Sequence, residues 1–331
     1  MKMHSLVERF PAQLEEALVI GQNANLHPSL NPIHNIFVSG LGGSGIGANF
    51  AAEFVRNECS VPFIVSKGYD IPAFIGKNTL AIVSSYSGNT EETLTAFDLL
   101  LRTEAKIICV ASGGKVITKA QELGLDYIQV PDNWPSPRAC LGFSVVQQLF
   151  ILHKMGLTSA QPIEEIKKSI GLLKKEEADI HIKAKNIAEM LNGKLPVIYG
   201  VDRMEPVLVR FRQQINENAK ALCWHHVVPE MNHNELVGWT ENHENIAVIY
   251  FRNSDDFNRN AYRIDINKDI IRQYASSVIE IFSKGNSLIE RSMYFVYLGD
   301  WITCYLCDLR GKDSIEVNVI DFLKGELAKI A

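Results

Sequence analysis

Thr79-Leu-Ala-Ile-Val-Ser-Ser-Tyr-Ser-Gly-Asn-Thr-Glu-Glu-Thr93 sets a short apolar run against a hydroxyl-rich turn, and an amphipathic stretch begins near Glu91. A run of that length bounded by turn residues reads as a buried strand and the amphipathic stretch as a helix. Amide groups left unpaired at a helix N-terminus, the helix dipole, and the hydroxyls of Ser85, Ser87 and Thr90 together suit a phosphate monoester. A small phosphorylated ligand is the first expectation. An ordinary helix cap accounts for the same residue types, with Thr90 and Thr93 in that role.

Working outward, Ile36-Phe-Val-Ser39 is a second buried-strand pattern, and Gly40-Leu-Gly-Gly-Ser-Gly-Ile-Gly47 leads from it into the helical run Ala48–Val55. Two strand-turn-helix anion sites therefore fall within one domain's length. Gly40, Gly42 and Gly45 also satisfy G-x-G-x-x-G, a dinucleotide pattern that calls for an acidic residue at the end of the next strand. That strand, Pro62-Phe-Ile-Val65, ends in Ser66-Lys67, which leaves only an NADP-type version of this reading open. Neither turn carries the Gly-Lys-Ser/Thr ending of a nucleoside triphosphate site.

The alternation continues through Lys106-Ile-Ile-Cys-Val-Ala111, a helix from Lys115 to Leu123, and Tyr127-Ile-Gln-Val130. Such an order implies a parallel sheet with helices on both faces, where ligands bind at the carboxyl ends of the strands. Residues from about Gly142 to Met190 read as helical. The order of elements then repeats: Leu195–Tyr199 as a strand, a helix from Pro206 to Ala219, and strands at Trp224–Val228, Asn245–Phe251 and Ser276–Phe282. The serine-rich turns are missing from this second half. The expectation is an α/β protein of two domains, residues 1–153 with the phosphate-binding loops and 154–331 without them.

Composition narrows the class. A formal charge of −5 with no basic run argues against nucleic acid, and no apolar stretch reaches the ~20 residues needed to span a bilayer. The opening residues hold no signal-peptide core, so a soluble cytoplasmic protein is expected. The six cysteines lack the spacing of a disulfide framework. Cys304-Tyr-Leu-Cys307 forms C-x-x-C, but it lies inside a helical pattern with no second pair after it, so it reads as core packing.

Taken together, Gly40–Gly47 and Ser84–Thr90 resemble the sugar isomerase (SIS) domain, which binds phosphosugars on a five-stranded parallel sheet. Pro137-Arg-Ala139, Glu217-Asn-Ala-Lys220 and Pro229-Glu-Met-Asn-His-Asn-Glu235 extend the resemblance to the bifunctional phosphoglucose/phosphomannose isomerases, which carry two SIS domains. The likeness runs from about residue 30 to the C-terminus. It implies two sheets of about five strands, Gly42, Gly43, Ser44, Ser85, Ser87 and Thr90 as sugar-phosphate ligands, and Arg138 as both ligand and stabiliser of an anionic intermediate. It implies Glu217 as the base and His233 as the ring-opening residue, reaching the site from the neighbouring subunit of a homodimer. Ile320-Asp-Phe-Leu-Lys324 is similar to the family's terminal helix, which makes Lys324 an active-site lysine, although Gly311–Ile315 lacks the proline-rich sequence usual before it. The substrates implied are hexose 6-phosphates, with no cofactor and no metal.

The chemistry is consistent with that set. Interconverting an aldose and a ketose moves a proton between neighbouring carbons through an enediolate, so one carboxylate must face both carbons while a cation sits near the developing oxyanion. Glu217 and Arg138 supply those groups. A closed ring cannot enolise, and a histidine, with its ordinary pKa near ~6.5, suits the preceding proton transfer. Singly, each residue has a plainer reading: Glu217 as a surface partner of Lys220, Arg138 in a structural pair, Lys324 as a solvated helix residue. His225, His226, His233 and His243 match no zinc spacing. A non-catalytic phosphosugar-binding protein would share the phosphate ligands without needing Glu217, Arg138 or His233. An NADP-linked oxidoreductase is the third possibility.

Overall fold

Runs in which every residue is apolar or small, such as Thr79–Ser84, form strands covered on both faces, as expected where helices flank a parallel sheet. The computed structural model describes residues 2–330. The chain divides into two compact units. The N-terminal unit comprises Glu8–Glu176 with Lys284–Tyr294; the C-terminal unit comprises the chain up to Val7, Glu177–Ser283 and the chain from Phe295 onward.

The chain opens with two helices, α1 (Met3–Glu8) and α2 (Phe10–Asn23), which the sequence reading did not identify. There follow β1 (Asn35–Ser39), α3 (Gly42–Val55), β2 (Phe63–Ser66), β3 (Thr79–Ser84), α4 (Glu91–Leu100), β4 (Lys106–Ala111), α5 (Gly114–Glu122) and β5 (Asp126–Gln129). All five strands are parallel, in the order β2-β1-β3-β4-β5. The order reverses between β1 and β3, and both hydroxyl-rich turns leave the sheet from the carboxyl ends of those two strands. Phe37, Val83 and Cys109 pack with Phe97 and Leu100 of α4 and Val116 of α5 into one apolar core.

The helical stretch expected from Gly142 to Met190 is two helices, α6 (Leu141–Lys154) and α7 (Gln161–Leu191), with Gly156 at φ +72° in the break. Next come β6 (Leu195–Val201), α8 (Glu205–Glu217), β7 (Trp224–Val228), β8 (His243–Arg252), α9 (Asn258–Ile271), β9 (Ala275–Phe282), α10 (Leu288–Leu309) and α11 (Asn318–Leu327). The second sheet is also parallel, with the order β7-β6-β8-β9. It has four strands among the described residues, one fewer than the first. Phe251 packs edge-on against Phe211 and Phe295 at 5.4 and 4.8 Å, and Gly200 lies where a Cβ would come 3.1 Å from Leu208, which brings α8 close to the sheet. Cys304 and Cys307 are buried within α10 as core residues and form no disulfide. No helix among the described residues is long and apolar enough to cross a membrane.

Candidate active site

The glycine run is itself the start of α3, with Gly42 at φ +50° as its first residue, followed by Gly43 and Ser44. The amides of Ser44 and Gly45 donate to the Leu41 carbonyl at 3.0 and 3.1 Å, so by helix geometry those of Gly42 and Gly43 are the ones that face outward from its positive end. Ser44 is buried, and its Oγ accepts a hydrogen bond from the amide of Tyr86 at 3.2 Å, in the turn after β3. Because that oxygen's acceptor role is met from inside, its own O–H is the group left to donate.

The second turn repeats the arrangement. Thr90 occupies the N-cap position of α4, yet its hydroxyl makes no cap bond; it meets Ser85 Oγ at 2.9 Å. The plain capping role considered for Thr90 is therefore not what its side chain does. Ser87 is exposed, and its Oγ accepts the Asn89 amide at 3.3 Å. Asn89 also fixes the turn to the next strand-turn-helix junction, donating from Nδ2 to the Ser87 carbonyl at 3.2 Å and accepting the Lys115 amide at 3.1 Å. Gly88, at φ +66°, lies where a Cβ would come 1.8 Å from the Gly113 carbonyl oxygen. The Ser112 amide and hydroxyl both donate to the Tyr86 carbonyl, at 2.8 and 2.7 Å. Tyr86 donates from its hydroxyl to the Pro131 carbonyl at 2.9 Å, and burial pushes its pKa well up. Tyr86 and Asn89, which the sequence reading did not single out, thus hold the serine turn in place.

Arg138 lies in a short 3-10 turn, Pro137–Ala139, and is 8% exposed. A Cβ on Gly43 would stand 3.2 Å from the Pro137 carbonyl oxygen and 4.0 Å from Arg138 Cα, so the turn bearing Arg138 packs closely on the glycine run. Gly42, Gly43, Ser44, Ser85, Ser87, Thr90 and Arg138 all belong to the N-terminal unit. The arrangement joins helix-start amides, inward-braced hydroxyls and a buried cation, a combination suited to an anionic ligand.

Glu217, His233 and Lys324 belong to the C-terminal unit. Glu217 is the last residue of α8 and half-buried. The next residue, Asn218, is fully buried and donates to Thr303 Oγ1 at 3.0 Å, and Thr303 in turn donates to the Asp300 carbonyl at 2.8 Å. The neighbouring Lys220 donates from its ammonium to the backbone carbonyl of Glu217.

His233 is exposed at the end of the 3-10 turn Glu230–His233, and its neighbours are tied down. Asn232 donates to Asn267 Oδ1 at 2.6 Å; Asn234 donates to Glu230 at 3.0 Å and accepts the Glu235 amide at 2.6 Å. The Glu235 carboxylate receives Trp224 Nε1 at 3.0 Å and the Tyr199 hydroxyl, so the turn is anchored on β7 and β6. The sequence reading names His233 as a candidate but does not show this anchorage. Lys324 stands exposed on α11, a helix with no buried residue.

His225 and His226 are adjacent on β7 and therefore point to opposite faces of the sheet. His225 is held neutral: burial first, then the charges of Arg212 and His226, push its pKa down to about 4. Among the described residues no three His, Cys, Asp or Glu side chains converge as metal ligands.

The class of protein follows. Residues 180–327 match the family model for the bacterial phospho-glucose isomerase C-terminal SIS domain. The solved C-terminal domain of glucosamine-fructose-6-phosphate aminotransferase from Francisella tularensis superposes with a TM-score of 0.76 at 13% identity, over 94% of this chain and 97% of that one. At that identity the likeness speaks for the fold, which is that of SIS-domain proteins. Two curated relatives carry it further. The bifunctional phosphoglucose/phosphomannose isomerase of Caldicellulosiruptor bescii is 38% identical over 99% of both chains, and that of Aquifex aeolicus is 33% identical over 100% of this chain and 99% of its own. The chain belongs to the bifunctional phosphoglucose/phosphomannose isomerase family.

Proposed function

We propose that this protein interconverts glucose 6-phosphate and mannose 6-phosphate with fructose 6-phosphate by moving a proton through an enediolate. Full-length relatives of that name support the reading, and the observation that carries it is the pair of linked turns in which Ser44 and Ser85 hydroxyls are braced from inside beside buried Arg138. In this reading the N-terminal SIS-type domain grips the phosphate and the C-terminal one supplies acid-base groups.

Gly42 and Gly43 offer helix-start amides to the phosphate, Ser44 and Ser87 donate hydroxyls, and of the bonded pair Ser85 and Thr90 one hydroxyl donates to the phosphate while the other donates to its neighbour. His233 moves a proton between ring oxygen and hydroxyl to open the sugar. Glu217 then takes the proton from one of the two carbons and returns it to the other, while the Arg138 guanidinium stabilises the enediolate oxygens. Lys324 contributes a second cation. Side-chain acid-base chemistry suffices for every step.

The working form in this reading is a cytoplasmic homodimer whose sites are shared, His233 entering from the partner. Two features support the dimer: α11 exposes Val319, Phe322 and Leu323 with none of its residues buried, and His233 is exposed on a turn whose neighbouring side chains are hydrogen-bonded. None of the six cysteines is in a disulfide, which is compatible with a reducing compartment.

Purified protein, assayed with each of the three hexose 6-phosphates without added metal or nucleotide, is expected to reach the same equilibrium mixture from any of them. Saturable binding of fructose 6-phosphate without turnover would instead identify a phosphosugar sensor.

A further inference from the structure

Helix α8 ends at Glu217, where the last carbonyls of a helix have no partner within it. In this chain backbone amides take the Gln214 and Ile215 carbonyls, and two cations hold the Glu217 carbonyl and the bend after it. Lys220 Nζ donates to the Glu217 carbonyl and, at 2.6 Å, to the Glu316 carbonyl. Arg310 donates from Nε to the Ala219 carbonyl at 2.9 Å and from Nη2 to the Lys220 carbonyl at 3.3 Å. Asn216 donates to the Ala221 carbonyl at 2.7 Å, and Asn218 is held by Thr303.

Lys220 is also the one residue other than glycine with positive φ, at +53°, among the described residues. That region is unfavourable for an L-residue and costs glycine nothing. If the bend alone were needed, glycine would serve. A lysine there, with its ammonium on the Glu217 carbonyl, points to the side chain as what the position supplies.

We propose that Lys220 is a positioning residue for Glu217, an inference that rests on the isomerase reading above. By holding the final carbonyl of α8, its ammonium stops the helix end from fraying and fixes the direction in which the Glu217 side chain leaves the backbone. A base that must serve two adjacent carbons in turn tolerates little angular freedom. The second bond, to the Glu316 carbonyl, ties this base to the segment that enters α11 two residues later, the helix that carries Lys324.

The test compares Lys220→Gly, which accepts the backbone conformation without the ammonium, with Lys220→Met and Lys220→Arg. For each, kcat and KM for fructose 6-phosphate, melting temperature, and deuterium entry from solvent at C1 and C2 are measured beside the wild type. Lys220→Gly and Lys220→Met are expected to lose roughly 10- to 100-fold in kcat and in deuterium entry, with KM within about threefold of wild type. Lys220→Arg is expected to recover most of the loss. A Lys220→Gly protein with wild-type kcat overturns the inference, as does a series in which only the melting temperature moves. If Lys220→Met does not fold, Lys220→Gly and Lys220→Arg decide the matter by themselves. A wild type inert toward all three sugars sinks the isomerase reading and this inference with it, whereas active wild type with fully active Lys220→Gly sinks the inference alone.

Discussion

The amide of Tyr86 donates to Ser44 Oγ at 3.2 Å, which joins the turn after β3 to the start of α3 across the reversal point of the sheet. A parallel sheet brings the ends of β1 and β3 side by side, but it does not by itself fix the two turns against each other. This bond does, and it also sets which way the serine hydroxyl can donate. The two turns form one cradle, so a change in either is felt in both.

Ser44→Ala is therefore expected to weaken fructose 6-phosphate binding by more than one hydrogen bond's share. Losing a donor to a charged ligand is worth about 1.5–3 kcal/mol, or roughly 10- to 150-fold in affinity. The Tyr86 amide is left without its partner as well, which loosens the serine turn. Calorimetric titration measures the affinity, and a change below about twofold would move the phosphate site elsewhere.

Gly88→Ala tests the brace beneath the same turn. The new Cβ would sit 1.8 Å from the Gly113 carbonyl oxygen, at a φ of +66°, and the obstacle is backbone that cannot rotate away. Strain and displacement together should cost roughly 2–4 kcal/mol and shift Ser87 out of place. Both the urea midpoint and the fructose 6-phosphate affinity are expected to fall. Unchanged affinity in a folded Gly88→Ala protein would mean that the Gly88 to Gly113 contact does not shape the cradle.

Much of this architecture is legible in the sequence because β1, β3, β4 and β8 are apolar on both faces and bounded by turn residues. The N-terminal helices are legible too, since Leu6, Phe10, Leu14 and Ala17 recur at helical spacing. Helix α9 gives a weaker signal, burying Ile264, Asn267 and Ile271 amid polar residues. Glycine's poor helix propensity made Gly42–Gly47 read as a turn, whereas close packing makes it the first turns of α3; a Cβ at Gly47 would stand 2.2 Å from Ser144 Oγ. Of the candidate site residues, the hydroxyls and Glu217 stand out by residue type and local order. Their supports do not. Asn89 reaches 26 residues ahead to Lys115, and Arg310 lies 90 residues from the carbonyl of Lys220 that it holds, so only the fold brings them together.

Stability should depend on pH through His225. Burial, aided by the charges of Arg212 and His226 and opposed by Glu205 at 4.0 Å, pushes its pKa down to about 4. In the unfolded chain a histidine titrates near ~6.5. Between those values the unfolded state binds a proton that the native state does not, so stability rises with pH across the window and is lost as pH falls from about 6.5 toward 4. The contribution is on the order of 2–3 kcal/mol, and His225→Gln should flatten that part of the urea-midpoint profile between pH 4 and 6.5. An equally steep profile in His225→Gln would assign the acid sensitivity to other groups.

The base itself is tested by Glu217→Gln, which keeps the size and polarity of the side chain at the end of α8 but cannot accept a proton from carbon. The phosphate cradle belongs to the other compact unit, with its hydroxyl bonds and Arg138 turn untouched by the substitution. Substrate affinity should therefore stay close to wild type. General-base catalysis supplies about 10²–10⁴-fold, so kcat should fall by that order while KM for fructose 6-phosphate changes little. Turnover alone does not separate proton transfer from ring opening, because failure at either step stops the product. Deuterium entry reports on the enediolate once the ring is open, since label reaches C1 of the ketose or C2 of the aldose only if that intermediate forms and is reprotonated. The variant is expected to lose label entry in proportion to kcat. Should it still wash deuterium into fructose 6-phosphate at the wild-type rate, another residue removes the proton, and the assignment of Glu217, together with the positioning role of Lys220, falls.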